Sequence, residues 1–450
     1  MNERSLRLEN EKISKLLINL SLPATIGMIV NALYNVVDTI FIGRYVGTLG
    51  IAGLTIAFPV QMVIMALGQL IGIGAASAVS RSLGAKDLER ADYVVGNAFL
   101  SIGVLSIMTV GLGLAFMEPL LKVFGATDSI LPYAKAYMWI IFLGSIYFPF
   151  VVAANNLVRA EGNAKAAMYS MLIGTGLNII LDPIFIVGLK MGIEGAALAT
   201  IISQFASFLY ILRYLFGKQS IFKIQGHHFK PQKEIIQEIV TVGFAAFARQ
   251  IAGSIVAIVL NNSLKFYGGD LAISILGIVN RVMMFLFMPL FGIIQGMQPI
   301  IGFNYGAKKI DRVKETVKLS IIITTLLATF GTLTGALFPD AIIRVFSKDI
   351  TLIESGIQVI RIVIFMVPVI GIQIVGAALF QSLGRAIPSL ILSLLRQVIL
   401  FIPLVLILPR LFDLGLLGIW ITFPIADAIA TIITTILLQR EMKNIALEGK

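Results

Sequence analysis

The sequence predicts an all-α polytopic membrane protein in which twelve transmembrane helices form two pseudo-symmetric six-helix bundles, arranged as parallel repeats. Three observations lead there. Of the 450 residues, 58% are hydrophobic and 13% charged, with a mean hydropathy of +0.95, well above the roughly 45–50% apolar content of soluble domains. Apolar runs of about 20 residues, enough to cross a bilayer, recur along the whole chain between short polar turns. A loop pattern also returns at a fixed distance. Leu83-Gly84-Ala85-Lys86 reappears as Tyr305-Gly306-Ala307-Lys308, and Gly162-Asn163-Ala164 as Gly384-Arg385-Ala386, both displaced by 222 residues, the step from 84 to 306 and from 162 to 384.

Each element follows from those patterns. Segments such as 98–114 and 321–337 carry no charge and no period-two alternation, which argues for helices rather than a transmembrane barrel. Reading spans at about residues 16–43, 53–80, 94–117, 134–157, 166–189, 195–216, 238–264, 272–303, 316–338, 356–382, 387–409 and 415–438 gives the twelve crossings. The polar start, 1–15, has no apolar core of a cleaved signal peptide. With no cysteine, disulfides and thiolate chemistry are excluded. The net charge of +11 is explained by topology: Arg4, Arg7, Arg81, Lys86, Arg90, Arg159, Lys165, Lys308, Lys309, Arg312, Arg385 and Arg440 fall on one side of the spans. That side is read as cytoplasmic, with both termini, in the cell (inner or plasma) membrane. No nucleic-acid partner is implied. The predicted domains are an N-lobe (1–218), a cytoplasmic connector (219–236) and a C-lobe (237–450), with a central cavity between the lobes. His227 and His228 in the connector read as solvated rather than metal-binding.

Ionisable groups inside the spans carry the chemistry, since a charge at the bilayer centre costs at least about 2.5–3.5 kcal/mol. In the first half only Asp38 and Asp182 lie well inside a span. At 1.5 Å per residue they sit about 9 Å and about 12 Å below the outer boundary, with Thr200 about 9 Å deep on a third helix. Tyr34 and Asn178 lie one turn below the two acids, at spacing i, i+4, and Asn31 and Asn35 add amides nearby. Two carboxylates in a low-dielectric pocket cannot both ionise cheaply, so they invite a proton. The oxygens of Asp38, Asp182, Asn178 and Thr200 also suit a hard cation such as Na+. Pro183 withholds a helical hydrogen bond directly after Asp182 and permits a local bend.

The segment from Ser21-Leu22-Pro23 through Tyr34-Asn35-Val36-Val37-Asp38-Thr39-Ile40-Phe41-Ile42-Gly43, with Ser80-Arg81-Ser82-Leu83-Gly84-Ala85 and Asn178-Ile179-Ile180-Leu181-Asp182-Pro183, resembles the multidrug and toxin extrusion (MATE) exporters over essentially the whole chain. The resemblance implies a V-shaped pair of bundles, cation antiport and extrusion of amphipathic, often cationic compounds through a central cleft. It also implies the DNA-damage-inducible (DinF-like) branch, in which N-lobe aspartates carry the coupling cation, here Asp38 and Asp182 with Asn178, Thr200 and Tyr34 beside them. A second branch places coupling acids on the seventh and tenth helices, where this chain has Arg249, Gln250 and Arg361 instead.

Arg249 and Arg281 are candidate C-lobe contacts, and Arg396 and Asp427 fall at one depth and can pair. Met28, Met65, Met171 and Met288 are candidates for a drug surface that tolerates varied ligands. No resident cofactor is implied beyond the coupling ion, H+ or Na+, and a monomer with small-molecule and lipid partners is expected. A flippase of lipid or lipid-linked oligosaccharide would share this architecture and draw on Arg249 and Arg281. An aspartyl protease would need a Gly-x-Gly-Asp signature around Asp182, which is absent, and no Walker A loop is present, so no enzyme is predicted.

Overall fold

The computed structural model of the chain describes residues 3–448; the side chain of Asn35 is among the few within that range that fall outside the description. Elements in the first half are α1 (Glu3–Asn10), α2 (Ile13–Tyr45), α3 (Thr48–Gly84), α4 (Leu88–Ala115), α5 (Met117–Val123), α6 (Leu131–Gly144), α7 (Phe148–Ala160), α8 (Ala164–Asp182) and α9 (Gly192–Leu215). The second half has α10 (Lys233–Gly306), α11 (Ile310–Leu337), α12 (Pro339–Arg344), α13 (Ile350–Ile364), α14 (Val367–Ser382), α15 (Ala386–Leu394), α16 (Ile402–Ile407) and α17 (Gly415–Glu448).

Among the described residues nine helices, some running on through a π-helical turn, are long and apolar enough to cross a membrane, and the pairs α6–α7 and α13–α14, bent by 48° and 45°, add two more spans. α10 is itself two crossings, because Gly269 leaves the helical region (φ 62°, ψ −156°), a conformation open to a residue without Cβ. Together these are the twelve spans expected.

The repeat is written in the backbone as well as in the sequence. Left-handed turns recur at equivalent positions: Lys86 (φ 63°) with Lys308 (φ 57°), and Gly162 (φ 87°) with Gly384 (φ 75°). α8 and α15 also run into π-helical turns, Pro183–Gly188 and Leu395–Phe401. The bend expected after Asp182 is thus taken up as a π-turn, where a missing i→i+4 donor is tolerated.

The halves meet at the end bearing the basic loops. One core cluster there draws Leu17, Val79 and Leu83 from the first half together with Ile239, Ile300, Phe303 and Leu379 from the second. At the opposite end each half keeps its own core, Ile42, Ala57, Tyr137 and Phe142 in one and Leu264, Ile275, Ile360 and Trp420 in the other. Contact at the basic-loop end is backbone to backbone. A Cβ at Gly84 would lie 1.9 Å from the Phe303 carbonyl oxygen, and one at its repeat mate Gly306 would lie 2.1 Å from that of Arg81. Without water in the bilayer to drive association, such small-residue approach is what lets helices pack.

Two polar straps cross this end. α1 binds the first half through Arg4 Nη1 to Glu161 Oε1 (2.9 Å) and the second through Asn304 Nδ2 and Arg312 Nη2 to the Leu8 carbonyl (3.2 Å each). The segment between α9 and α10 is tied to α4: Asn97 Nδ2 donates to the His228 and Lys230 carbonyls, and Asn97 Oδ1 accepts from Gln232 N–H at 2.8 Å. His228 is therefore buried, not solvated as its place in a polar linker had suggested.

Candidate functional site

Three helices of the first half converge on one polar level. Asp38 projects from α2, Asp182 ends α8 at the π-turn, and Thr200 stands on α9; Asp38 is 4% exposed and Asp182 0%. The two acids act on one another electrostatically. Each keeps one oxygen, Oδ1, buried with no hydrogen-bond partner.

Asn178, one turn before Asp182, connects them to α9. In the amide orientation that satisfies both of its ends, Nδ2 donates to Asp182 Oδ2 at 2.9 Å and the carbonyl oxygen accepts from Thr200 N–H at 3.2 Å. The Thr200 hydroxyl donates to the Ala196 carbonyl (2.9 Å). Tyr34, one turn before Asp38, lies close enough to interact with Thr200 and with both acids. All five residues singled out for coupling are thus brought together.

Tyr137 of α6 belongs to this level too, and the sequence reading missed it. Its fully buried hydroxyl accepts from Gln61 Nε2 at 3.0 Å and lies near Thr200 and Asp38. The reason is a boundary. A span starting at 134 puts Tyr137 only about 5 Å deep, whereas α6 starts at Leu131, with a proline in its first turn, which puts it about 9 Å deep.

The other candidates scatter. Met171 packs against α2, its Sδ 3.0 Å from where a Cβ on Gly27 would be, and Met28 Sδ accepts from Gln295 Nε2 of the second half at 3.3 Å. Met65 is half-buried and Met288 buried, while Asn31 is largely exposed; Asn35 lies outside the described side chains. Arg249 is half-buried beside Gln250, and Arg281 is exposed with its guanidinium 5.8 Å from the Phe346 ring centre. Arg396 Nε and Nη2 bond to the Asp427 carboxylate, the pairing their equal depth suggested.

Glu89, His227 and His228 form the one group of metal-ligating side chains among the described residues. His228 Nδ1 accepts from Gln225 N–H at 2.9 Å, so the ring proton sits on Nε2, facing Glu89 at 3.4 Å. A metal on that nitrogen would need an imidazole that donates from Nδ1, which this cap forbids.

The family profile described as MatE matches residues 23–184 and 245–407. The chain belongs to the MatE family. Its two matched stretches start at 23 and 245, the same repeat displacement as the loops. Among relatives of this MatE protein, the Multidrug export protein MepA of Staphylococcus haemolyticus (strain JCSC1435) is 28% identical over 428 residues, covering 95% of this chain and 94% of its own. A solved outward-facing conformation of a multidrug resistance MATE family transporter of the MOP superfamily superposes with a TM-score of 0.93 at 28% identity, over 99% of each chain. A solved chain named protein A is 45% identical, with a TM-score of 0.90 over 98% of each. This MatE chain is accordingly a multi-pass membrane protein with the MATE transporter fold.

Proposed function

We propose that this chain is a secondary exporter of amphipathic, often cationic compounds, driven by protons that enter in exchange and working by alternating access of its two halves. What carries this reading is the acid pair: two buried carboxylates at one polar level of the first half, each with an unanswered oxygen and no cationic side chain bonded to either among the described residues. Such a pair is tolerable in hydrocarbon only when a positive ion shares it. The relatives named multidrug export proteins support the class of cargo.

A proton suits the pair better than sodium. Asn178 turns its NH2 toward Asp182 and spends its carbonyl oxygen on Thr200 N–H, so it offers no ligand atom to a hard cation unless it rotates. Protonating one carboxyl converts an acceptor into a donor, which alters what Asn178 and Thr200 can bond and so biases the packing of α2 against α8 and α9. Each charge moved across 100 mV supplies about 2.3 kcal/mol, enough for one or two protons to sustain a steep cargo gradient. The acids on α2 and α8 support membership of the DNA-damage-inducible branch, and the basic loops support cytoplasmic termini in a cell-membrane protein.

Reconstitution into liposomes tests this, with a pH gradient and a sodium gradient imposed separately on a cationic dye. The pH gradient alone is expected to drive uptake or release. Movement driven only by sodium would replace the proton, and movement driven by neither would remove the antiport reading.

A further inference from the structure

At the basic-loop end, between the halves, lies a small, partly open cavity. Two repeat mates line it from opposite sides: Arg159 of α7 and Gln381 of α14, the step from 159 to 381 being the same 222. Arg159, counted above among the loop charges, is only 8% exposed. One of its five N–H groups is used, Nη2 to Asn156 Oδ1 at 2.8 Å, and no carboxylate pairs with it among the described residues. Gln381 accepts at Oε1 from Gln298 Nε2 (3.0 Å), but its own Nε2 is buried with no acceptor. Ser77 and Ser80 also line the wall, with their hydroxyls already donating to the Gln381 and Ala160 carbonyls.

Arg159 and Gln381 thus bring a positive charge and unused N–H donors to a space whose unpartnered protein acceptor, among the described residues, is the single Gln295 Oε1. The C-terminus of α7 beside Arg159 offers about half a negative charge, and one neutral amide oxygen, Gln295 Oε1, cannot answer both the guanidinium fork and the Gln381 amide. A buried unpaired guanidinium costs several kcal/mol. Its planar fork matches a carboxylate or phosphate bidentately.

We propose that this cavity binds an anionic oxygen group, a carboxylate or a phosphate ester, held by Arg159 from one half and Gln381 from the other. The group comes either from a zwitterionic cargo molecule or from a phospholipid headgroup entering between the halves. Because both halves contribute, occupancy stabilises the arrangement in which this end is shut. The cargo source rests on the export reading; the cavity itself does not.

The test uses the purified full-length chain in phosphatidylcholine nanodiscs and fluorescence anisotropy with a rhodamine bearing a free carboxylate, compared with the same dye as its methyl ester. The acid is expected to bind about tenfold more tightly than the ester, the size of one charge-assisted hydrogen bond. Arg159→Gln should bring the ratio to about one, Arg159→Lys should retain part of it, and Gln381→Leu, which keeps the charge, should reduce it less. In a second arm, native mass spectrometry follows phosphatidylglycerol carried by the protein, expected in wild type and lost in Arg159→Gln if the source is lipid. An acid preference that survives Arg159→Gln, together with phosphatidylglycerol retention that ignores the substitution, overturns the proposal. If wild type binds neither dye, the export reading suffers and the lipid arm alone decides for the cavity.

Discussion

The two halves solve the same burial problem in opposite ways. Their equivalent helices α8 and α15 both run into π-turns, and both halves keep an aspartate deep in the bundle beside them. In the second half Asp427 is met by Arg396, and Gln373 Nε2 further fastens its backbone carbonyl at 2.9 Å. In the first half Asp182 is met by another acid, Asp38, and by the amide of Asn178. One scaffold therefore holds a carboxylate that brings its own counter-ion and a pair that must take one from solution. Only a pair without a resident counter-ion can exchange one, which is why the proposed coupling is assigned to the first half.

The largest effect comes from removing that asymmetry's active side. Asp38→Asn and Asp182→Asn are each expected to reduce gradient-driven dye transport in proteoliposomes to the rate of empty vesicles, with the proteins still folded. Either variant transporting at the wild-type rate takes the pair out of the mechanism. Thr200→Lys sharpens the contrast by giving the first half a resident cation like that of the second, and it should abolish response to an imposed pH gradient as thoroughly.

Next in size is the opposite side. Arg396→Leu strands Asp427 as an unpaired buried charge, at a cost of about 3–5 kcal/mol. A clear fall in melting temperature is expected, with most of it regained in the double variant Arg396→Leu/Asp427→Leu. The response to a pH gradient, measured in whatever folded protein remains, should keep its wild-type form. If instead the ion dependence changes, the second half is more than a self-neutralised support.

What the sequence disclosed follows the same physics. Asp38 and Asp182 stood out because a charge in hydrocarbon has no cheap explanation, and the repeat stood out because the turns at Lys86 and Lys308 and at Gly162 and Gly384 need a left-handed backbone. Arg159 was hidden for the converse reason. A basic residue in the last turn of a span reads as a topology signal, and only the cavity wall that α7 shares with α3, α10 and α14 reveals that it is walled in. The methionines were indistinct because sulfur fills gaps anywhere, and the straps of α1 and the connector depend on long-range bonds that no local pattern announces.

Tyr137→Phe probes the part of the first-half site that boundary placement concealed. Loss of one hydroxyl bonded to Gln61 is worth about 0.5–1.5 kcal/mol, so transport should fall about two- to tenfold rather than vanish. Gln61→Leu in the same background restores packing without the stranded amide and should add little further loss. A Tyr137→Phe variant as inactive as Asp38→Asn would instead make the tyrosine a carrier of the proton.

The smallest expected effect concerns Glu161, in the loop between α7 and α8 at the shut end. Burial pushes its carboxyl above the ordinary value of 4.5, although the Tyr214 hydroxyl, Ile221 N–H, Arg4 and Ser220 all bond to it and pull the other way. A carboxyl that holds its proton more tightly folded than unfolded contributes stability below its unfolded value and loses it as pH rises through its folded value. Wild-type melting temperature should therefore decline as pH rises above about 4.5, and Glu161→Gln, which keeps the shape but not the titration, should flatten that decline. A wild-type curve that climbs through this range while the Gln variant stays flat would mean that Arg4 and the backbone donor outweigh burial. The strap of α1 would then hold the halves together by charge, not by a shared proton.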